Sequence, residues 1–323
     1  MTDWRSLAAA SLRTRGVSLV EIMVALVVGL ILVGGIIQIY LSSKQSYNAQ
    51  EQLSRMQENG RFAMDMITRD LRRAGYWGGN LDIARTMGAA SNPGPAEPAN
   101  ACNNDDEWGR MVAWRISGVD NANTGYADCA PAYINGTDIL TVRYADARPA
   151  PTPLSSNGTY LRSSFFQSRI ITGATQGEGD NQIAPEGSDV DPEVRRIVSN
   201  AFYVGDTGRT CAGGGATTPA LFRVSLDPDT GNPVSNEVAP GVENLQVRYL
   251  LEGEYVNADA ITDEDWPNVW AARVWLLVRS ECPEPGVNDP RVYRGIGNLP
   301  DFTPADNFWR QLYVATVMLR NTR

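Results

Sequence analysis

The sequence contains no histidine, and only one of its 28 basic residues, Lys44, is a lysine. Without histidine the chain cannot form a Ser-His-Asp or Cys-His catalytic group, a histidine-ligated metal site or the usual proton shuttle at neutral pH. This absence argues against most hydrolases. An enzyme would have to rely on carboxylates, tyrosine, arginine or thiols, and no arrangement of these stands out. We therefore predict that the protein is not an enzyme.

Basic charge is also in the minority, with 37 acidic residues and a formal net charge of −9. Such a surface repels phosphate backbones, so no nucleic-acid partner is expected. Arg69, Arg72 and Arg73 form a local basic patch that could contact an anion, although the solvated face of a helix explains it better.

The four cysteines are Cys102, Cys129, Cys211 and Cys282, and no C-x-x-C pair exists. A zinc cluster is therefore not expected, and we predict no cofactor. An even cysteine count in an exported domain favours two disulfides, for which three pairings are possible. We favour Cys102–Cys129 with Cys211–Cys282, because the first pair brackets one loop-rich stretch. Free buried thiols are the alternative.

What the sequence does contain is a long apolar run over residues 17–41. As a helix it would span about 37 Å, enough to cross a bilayer core of about 30 Å. Arg5, Arg13 and Arg15 precede the run and only Lys44 follows closely, so the positive-inside rule keeps the N-terminus cytoplasmic. We expect a single-pass inner-membrane protein with an exported, periplasmic head.

Glu21 lies inside this apolar run, where a carboxylate at the bilayer centre costs about 2.5–3.5 kcal/mol and less near an end. It should therefore have a partner. If the chain is cut after Gly16, a new amine forms at Val17, one helical turn from Glu21. A neighbouring subunit's amine could then neutralise the acid and set the register of packed helices. A snorkelling acid in an ordinary anchor is the alternative.

The basic leader, Gly16, a hydrophobic residue and then "SLVEIMVAL" resemble the signal of type IV prepilins and type II secretion pseudopilins. The resemblance implies cleavage by prepilin peptidase between Gly16 and Val17, and N-methylation of Val17. Glu21 matches the acidic fifth residue of the mature chains in that family. Val17 departs from the phenylalanine that is commonest there, which puts methylation in more doubt than cleavage.

The helix is expected to continue beyond the membrane. Apolar and small residues recur at three- and four-residue spacing, which is typical of an amphipathic stripe; they are Leu53, Met56, Gly60, Ala63, Ile67, Leu71 and Ala74. The glycines of "RRAGYWGG" then end it. We therefore divide the chain into a leader (1–16), a helix that is hydrophobic and then amphipathic (17–75), and an exported head (76–323).

The head consists of short β-rich runs separated by turn clusters. The predicted strands are 111–117, 138–144, 195–204, 220–226, 242–253, 272–280 and 311–321. The fold class is α+β: a pilin-like long N-terminal helix, membrane-spanning in its first half, packed on a large antiparallel β-rich head.

Several head segments are similar to the PilW family of minor pilins and to its relative, pseudopilin J of type II secretion. They are "RFAMDMITRDLRRAGYWG", "VENLQVRYLLEG", "ARVWLLVRS" and "LYVATVMLRNTR". The resemblance implies a low-abundance subunit that joins other minor pilins and the major pilin, primes assembly and helps carry a PilY-type adhesin at the pilus tip. A J-type pseudopilin is the alternative, and a membrane-tethered exported enzyme or binding protein is a third hypothesis.

One loop has weak metal-binding character. Asp189, Asp191 and Glu193 place acids at alternate positions, which would suit calcium if loop carbonyls joined them. A solvated acidic loop is the favoured interpretation. The segment "DPDTGN" (227–232) lacks the spacing of a calcium loop and is predicted to be a β-turn.

Overall fold

The computed structural model describes residues 16–79, 86–87, 102, 108, 111–165, 167–175, 191–211, 215–284 and 286–321. The chain divides into two compact units, Met1–Glu51 and Gln52–Arg323. A single long helix, α1 (Leu19–Arg73), begins in the first unit and ends in the second. The predicted long helix is therefore present, starting and ending two residues inside the predicted limits of 17–75.

The part of α1 in the first unit is apolar and exposed. Its most apolar window has a mean hydropathy of 2.8, and none of that window is buried within the protein. Residues 22–43 carry no charge, and as a helix they span about 33 Å, the thickness of a bilayer core. By length and composition this segment is able to cross a membrane. An apolar surface of this size requires lipid or other protein around it.

In the second unit, α1 buries the predicted stripe. Met56, Ala63, Ile67 and Leu71 are all at most 4% exposed and lie in the main core. The helix ends where Gly75 adopts a positive φ of 74°, a conformation that glycine takes without steric cost, and the Gly75 N–H donates to the Arg143 carbonyl.

The described part of the head contains twelve strands. They are β1 (Thr86–Met87), β2 (Ile116–Val119), β3 (Ile139–Pro149), β4 (Thr159–Ser163), β5 (Ser168–Thr172), β6 (Glu193–Thr210), β7 (Thr217–Leu226), β8 (Pro233–Pro240), β9 (Val242–Leu251), β10 (Glu254–Val256), β11 (Ala271–Arg279) and β12 (Arg310–Met318). Short 3₁₀ turns occur at Gly173–Thr175, Ala258–Ala260 and Trp266–Asn268.

Two sheets are built from these strands. The first sheet has the order β1-β5-β4-β6-β3-β2. In addition, β7 pairs with the C-terminal part of the long strand β6, and β8 pairs with β7. The second sheet has the order β10-β9-β11-β12. All pairs are antiparallel except β1 with β5, so the predicted α+β class with an antiparallel head is confirmed. The main core joins α1, the first sheet and one face of the second sheet.

Some strand predictions were wrong in detail. Residues 111–115 are irregular rather than extended: the Trp114 N–H donates to the Met111 carbonyl in a turn, and the buried Arg143 guanidinium donates to the Trp114 carbonyl. Strands β1, β4, β5, β8 and β10 were missed. β8 begins and ends with proline, which is typical of an edge strand and obscures the alternating pattern. The turn predicted at 227–232 does connect β7 and β8, and the Asp227 carboxylate accepts the N–H groups of Asp229 and Thr230.

Candidate assembly site

The first turn of α1 places Glu21 against the residue before the helix. The Ser18 N–H donates to Glu21 Oε2 at 3.3 Å, and the Glu21 N–H donates to Ser18 Oγ at 3.4 Å. This reciprocal pair is a capping box, which satisfies two N–H groups at the helix start. The carboxylate also lies at the positive end of the helix dipole. Ser18 was not among the predicted site residues, although its S-x-x-E spacing before an apolar run is a readable signal.

Gly16 and Val17 precede this cap and are exposed. A Cβ built on Gly16 would meet nothing within 4 Å. Neither packing nor a steric constraint therefore requires glycine at this position in the described structure. Residues 1–15, the rest of the predicted leader, lie outside the described residues.

At its other end, α1 is fixed to the head through Asp70. Tyr144 Oη donates to Asp70 Oδ1 at 2.8 Å, and Asn200 Nδ2 donates to Asp70 Oδ2 at 2.7 Å. Burial raises the pKa of Asp70, while these two hydrogen bonds oppose the rise. Because Tyr144 lies on β3 and Asn200 on β6, one carboxylate joins the helix to two strands of the first sheet.

Both disulfides join the pairs favoured from the sequence, Cys102–Cys129 and Cys211–Cys282. The second bond links the residue after β6 to the segment after β11, and so connects the first sheet to the second. It also lies beside α1, because the Cys282 N–H donates to Gln52 Oε1 at 3.3 Å.

The structure does not assemble the weak calcium candidates within its described part. Asp189 lies outside the described residues. Glu193 forms an ion pair with Arg195, with 2.6 Å between Glu193 Oε2 and Arg195 Nη2. Among the residues that are described, no group of three acidic, histidine or cysteine side chains is arranged to hold a metal. The preference for a solvated acidic loop over a calcium site at Asp189, Asp191 and Glu193 stays a prediction.

Two buried polar groups in the head were not found from the sequence. Arg310 on β12 bonds both Glu243 and Asp306, with Nε to Glu243 Oε1 at 2.5 Å and Nη1 to Asp306 Oδ1 at 2.6 Å. Arg143, fully buried, has a pKa lowered to about 10 by desolvation. Asp306 lies only four residues from Arg310, but Glu243 lies 67 residues from it and Trp108 lies 35 residues from Arg143, so no local pattern indicates these longer contacts.

Comparison with known proteins finds a family match over part of the chain. Residues 201–321 match the family model described as Type IV Pilus-assembly protein W, PilW. Among solved structures, the type IV-like pilin TTHA1219 from Thermus thermophilus aligns over 83% of this chain and 99% of its own, with 13% identity and a TM-score of 0.38. No curated protein matches the sequence. The matched region contains β7, β8 and the whole second sheet, so the likeness to the PilW family of type IV pilus proteins, predicted from the sequence, is confirmed over the C-terminal part of the head.

Proposed function

We propose that this protein is a minor pilin of a type IV pilus, inserted into the filament through α1. Prepilin peptidase removes the leader (1–16), and Val17 becomes the methylated N-terminus of a mature chain with helix 17–75 and head 76–323. Until assembly the chain is held in the inner membrane with its head in the periplasm. It then joins other minor pilins and the major pilin, primes assembly and helps carry a PilY-type adhesin at the tip.

The first turn of α1 is the observation that supports this proposal most. Val17 directly precedes Ser18, and the Ser18 N–H already donates to the Glu21 carboxylate. Cleavage after Gly16 would therefore create a positive amine one residue from a group that binds this carboxylate. An amine at this position, or the same amine of a neighbouring subunit, is suited to neutralise an acid that is costly in lipid.

Gly16 supports the same proposal by its lack of a structural role. Since a side chain would fit there without contact, the glycine has no packing function in the described structure. Recognition by a prepilin peptidase that requires glycine before the cut is a sufficient reason for it.

The test is the N-terminal mass of the chain expressed with and without a prepilin peptidase. We expect a peptidase-dependent loss of residues 1–16 that Gly16→Ala abolishes. Gly29→Ala is the matched control, because a Cβ at Gly29 also meets nothing within 4 Å, and it should leave cleavage unchanged. An intact Met1 in the presence of the peptidase would overturn the proposal.

A further inference from the structure

Among the described strands, only β11 pairs with β12, and it lies on one side of it. Strand β12 pairs regularly with β11 from Arg310 to Met318, and no described strand pairs with its other side. Residues 311–319 contain no charge, proline or glycine. Natural sheets usually protect an edge with charged residues, proline or a bulge, since unpaired N–H and C=O groups bind other strands. This edge has none of the three, which makes it a template for an added strand.

The outer face of β12 is apolar as well as exposed. Val314 is 53% exposed and Met318 67%, with the exposed Thr316 between them. Val317 points to the opposite face of the strand and is buried in the main core. The edge therefore offers unpaired backbone and apolar side chains together.

Two arginines lie directly opposite each other on this same face of the second sheet. Arg273 on β11 and Arg248 on β9 are register partners, and like charges in this position repel. Arg273 Nε donates to Thr316 Oγ1 at 3.1 Å, and Arg248 Nε donates to Asn257 Oδ1 at 3.0 Å. Within the described part of the chain neither forms an ion pair with a carboxylate; Asp120 lies near enough to Arg248 for the guanidinium to oppose the rise of the Asp120 pKa, whereas no described carboxylate faces Arg273.

Aromatic rings hold the Arg273 guanidinium in place. Its Cζ lies 4.3 Å from the centre of the Tyr255 ring and 6.0 Å from that of Trp275. Ring contacts of this kind orient an arginine without occupying its N–H donors. No described acceptor bonds its Nη atoms, so they remain suited to a carboxylate.

We propose that β12, together with Arg248 and Arg273, binds an extended acidic segment of a partner subunit, which adds a strand beside β12. Arg273 already reaches Thr316 on the edge strand, and a side chain opposite Thr316 on an added strand would lie about 5 Å further out. Its carboxylate would neutralise the repelling pair. The identity of that partner as a pilus subunit rests on the proposed function.

The features of the surface favour a peptide over other anions. A nucleic acid would experience the net charge of −9, which two arginines do not reverse. A lipid surface would leave the unpaired N–H and C=O groups of β12 without partners.

The test uses the full chain in detergent and labelled peptides of alternating threonine and valine, with either glutamate or glutamine at the centre. Fluorescence anisotropy should show the glutamate peptide binding about 10-fold more tightly. Arg273→Gln should remove that difference. Arg209→Gln should preserve it, because Arg209 pairs with Glu237 on the first sheet.

Strand addition is tested separately by N-methylating alternate residues of the glutamate peptide. Methylation of the set that faces β12 should abolish binding, whereas methylation of the other set should not. Equal binding of both peptides, no binding, or indifference to methylation would overturn the proposal. So would Arg273-dependent binding of oligo-dT or of anionic vesicles that matches the peptide. None of these results bears on leader cleavage, which the N-terminal mass decides independently.

Discussion

Gly60 of α1 lies directly under the aromatic ring of Tyr313 on β12. A Cβ at Gly60 would fall within the contact distance of three ring atoms, and the Tyr313 hydroxyl donates to the Gln57 carbonyl at 3.2 Å. The close approach of helix to strand therefore requires glycine at this point. Around Gly60, α1 therefore packs directly against β12, the strand that we propose as a docking edge.

Gly60→Ala should lower the free energy of unfolding of the head by about 1 kcal/mol. Alanine normally stabilises a helix interior by about 1 kcal/mol relative to glycine. Here the Tyr313 ring must move away, which loses its packing and its hydrogen bond to Gln57. Denaturant unfolding of the detergent-solubilised chain measures the change.

The control is the same substitution in a Tyr313→Ala background. With the ring removed, Gly60→Ala should become stabilising, so the sign of its effect should reverse. Stabilisation in both backgrounds would show that the ring does not press on the helix.

The N-terminal helix was the most predictable part of the chain. The apolar run, the stripe from Met56 to Leu71 and the stop at Gly75 are local patterns, and a helix satisfies its backbone groups locally. The regular strands β9, β11 and β12 were also predicted, because their alternation and β-branched content are strong.

The features that could not be predicted from the sequence depend on contacts between residues far apart in the chain. Residues 111–115 form a turn whose Trp114 carbonyl accepts from the Arg143 guanidinium, 29 residues away, and no local pattern reveals this contact. The Arg310 bond to Glu243, 67 residues away, and the position of Arg248 opposite Arg273 likewise arise only once the sheets form. Sequence spacing identifies which groups are present but not which of them meet.

A pair of aspartates should make the stability of the head fall as pH rises. Asp138 accepts the N–H groups of Asn121 and Val247, and it lies beside Asp120. Burial, with a further contribution from Asp120, raises the pKa of Asp138 from 3.8 to about 7. Between these values the folded state holds a proton that the unfolded state has released, so stability is lost as pH rises through this window.

Asp120→Asn should reduce this dependence, since it removes the neighbouring negative charge. The free energy of unfolding measured at pH 5 and pH 8 should differ less in the variant, by on the order of 1 kcal/mol. Asp229→Asn, in the exposed turn after β7, is the control and should keep the wild-type difference. An unchanged pH dependence in Asp120→Asn would contradict the coupling of the two carboxyl groups.

Removal of the disulfides should destabilise the head to different extents. Paired cysteine-to-serine substitutions should each cost about 2–5 kcal/mol. The Cys211–Cys282 bond spans 71 residues and Cys102–Cys129 spans 27, so the former should cost about 1 kcal/mol more on the chain-entropy account. Guanidinium unfolding without reductant tests this, and a larger loss for the 102–129 pair would contradict it.

Ser18 and Glu21 allow capping to be separated from charge. Ser18→Ala removes one side of the capping box and should weaken the helix start by about 1 kcal/mol while leaving the carboxylate in place. Glu21→Gln keeps an oxygen that can accept the Ser18 N–H but removes the negative charge. If assembly depends on a carboxylate paired with the freed Val17 amine, only the second variant loses the essential interaction.

We therefore expect Glu21→Gln to lower incorporation of the chain into sheared pili by about 10-fold or more, equivalent to at least about 1.4 kcal/mol, and Ser18→Ala to change it by about 2-fold at most. Quantitative immunoblots of pilus and membrane fractions measure the ratio, and the N-terminal mass of each variant verifies that its leader has been removed. Equal losses in the two variants would show that Glu21 acts by capping α1. Equal, undiminished incorporation would show that neither the cap nor the charge is used, because the helix would then enter the filament through its apolar surface alone.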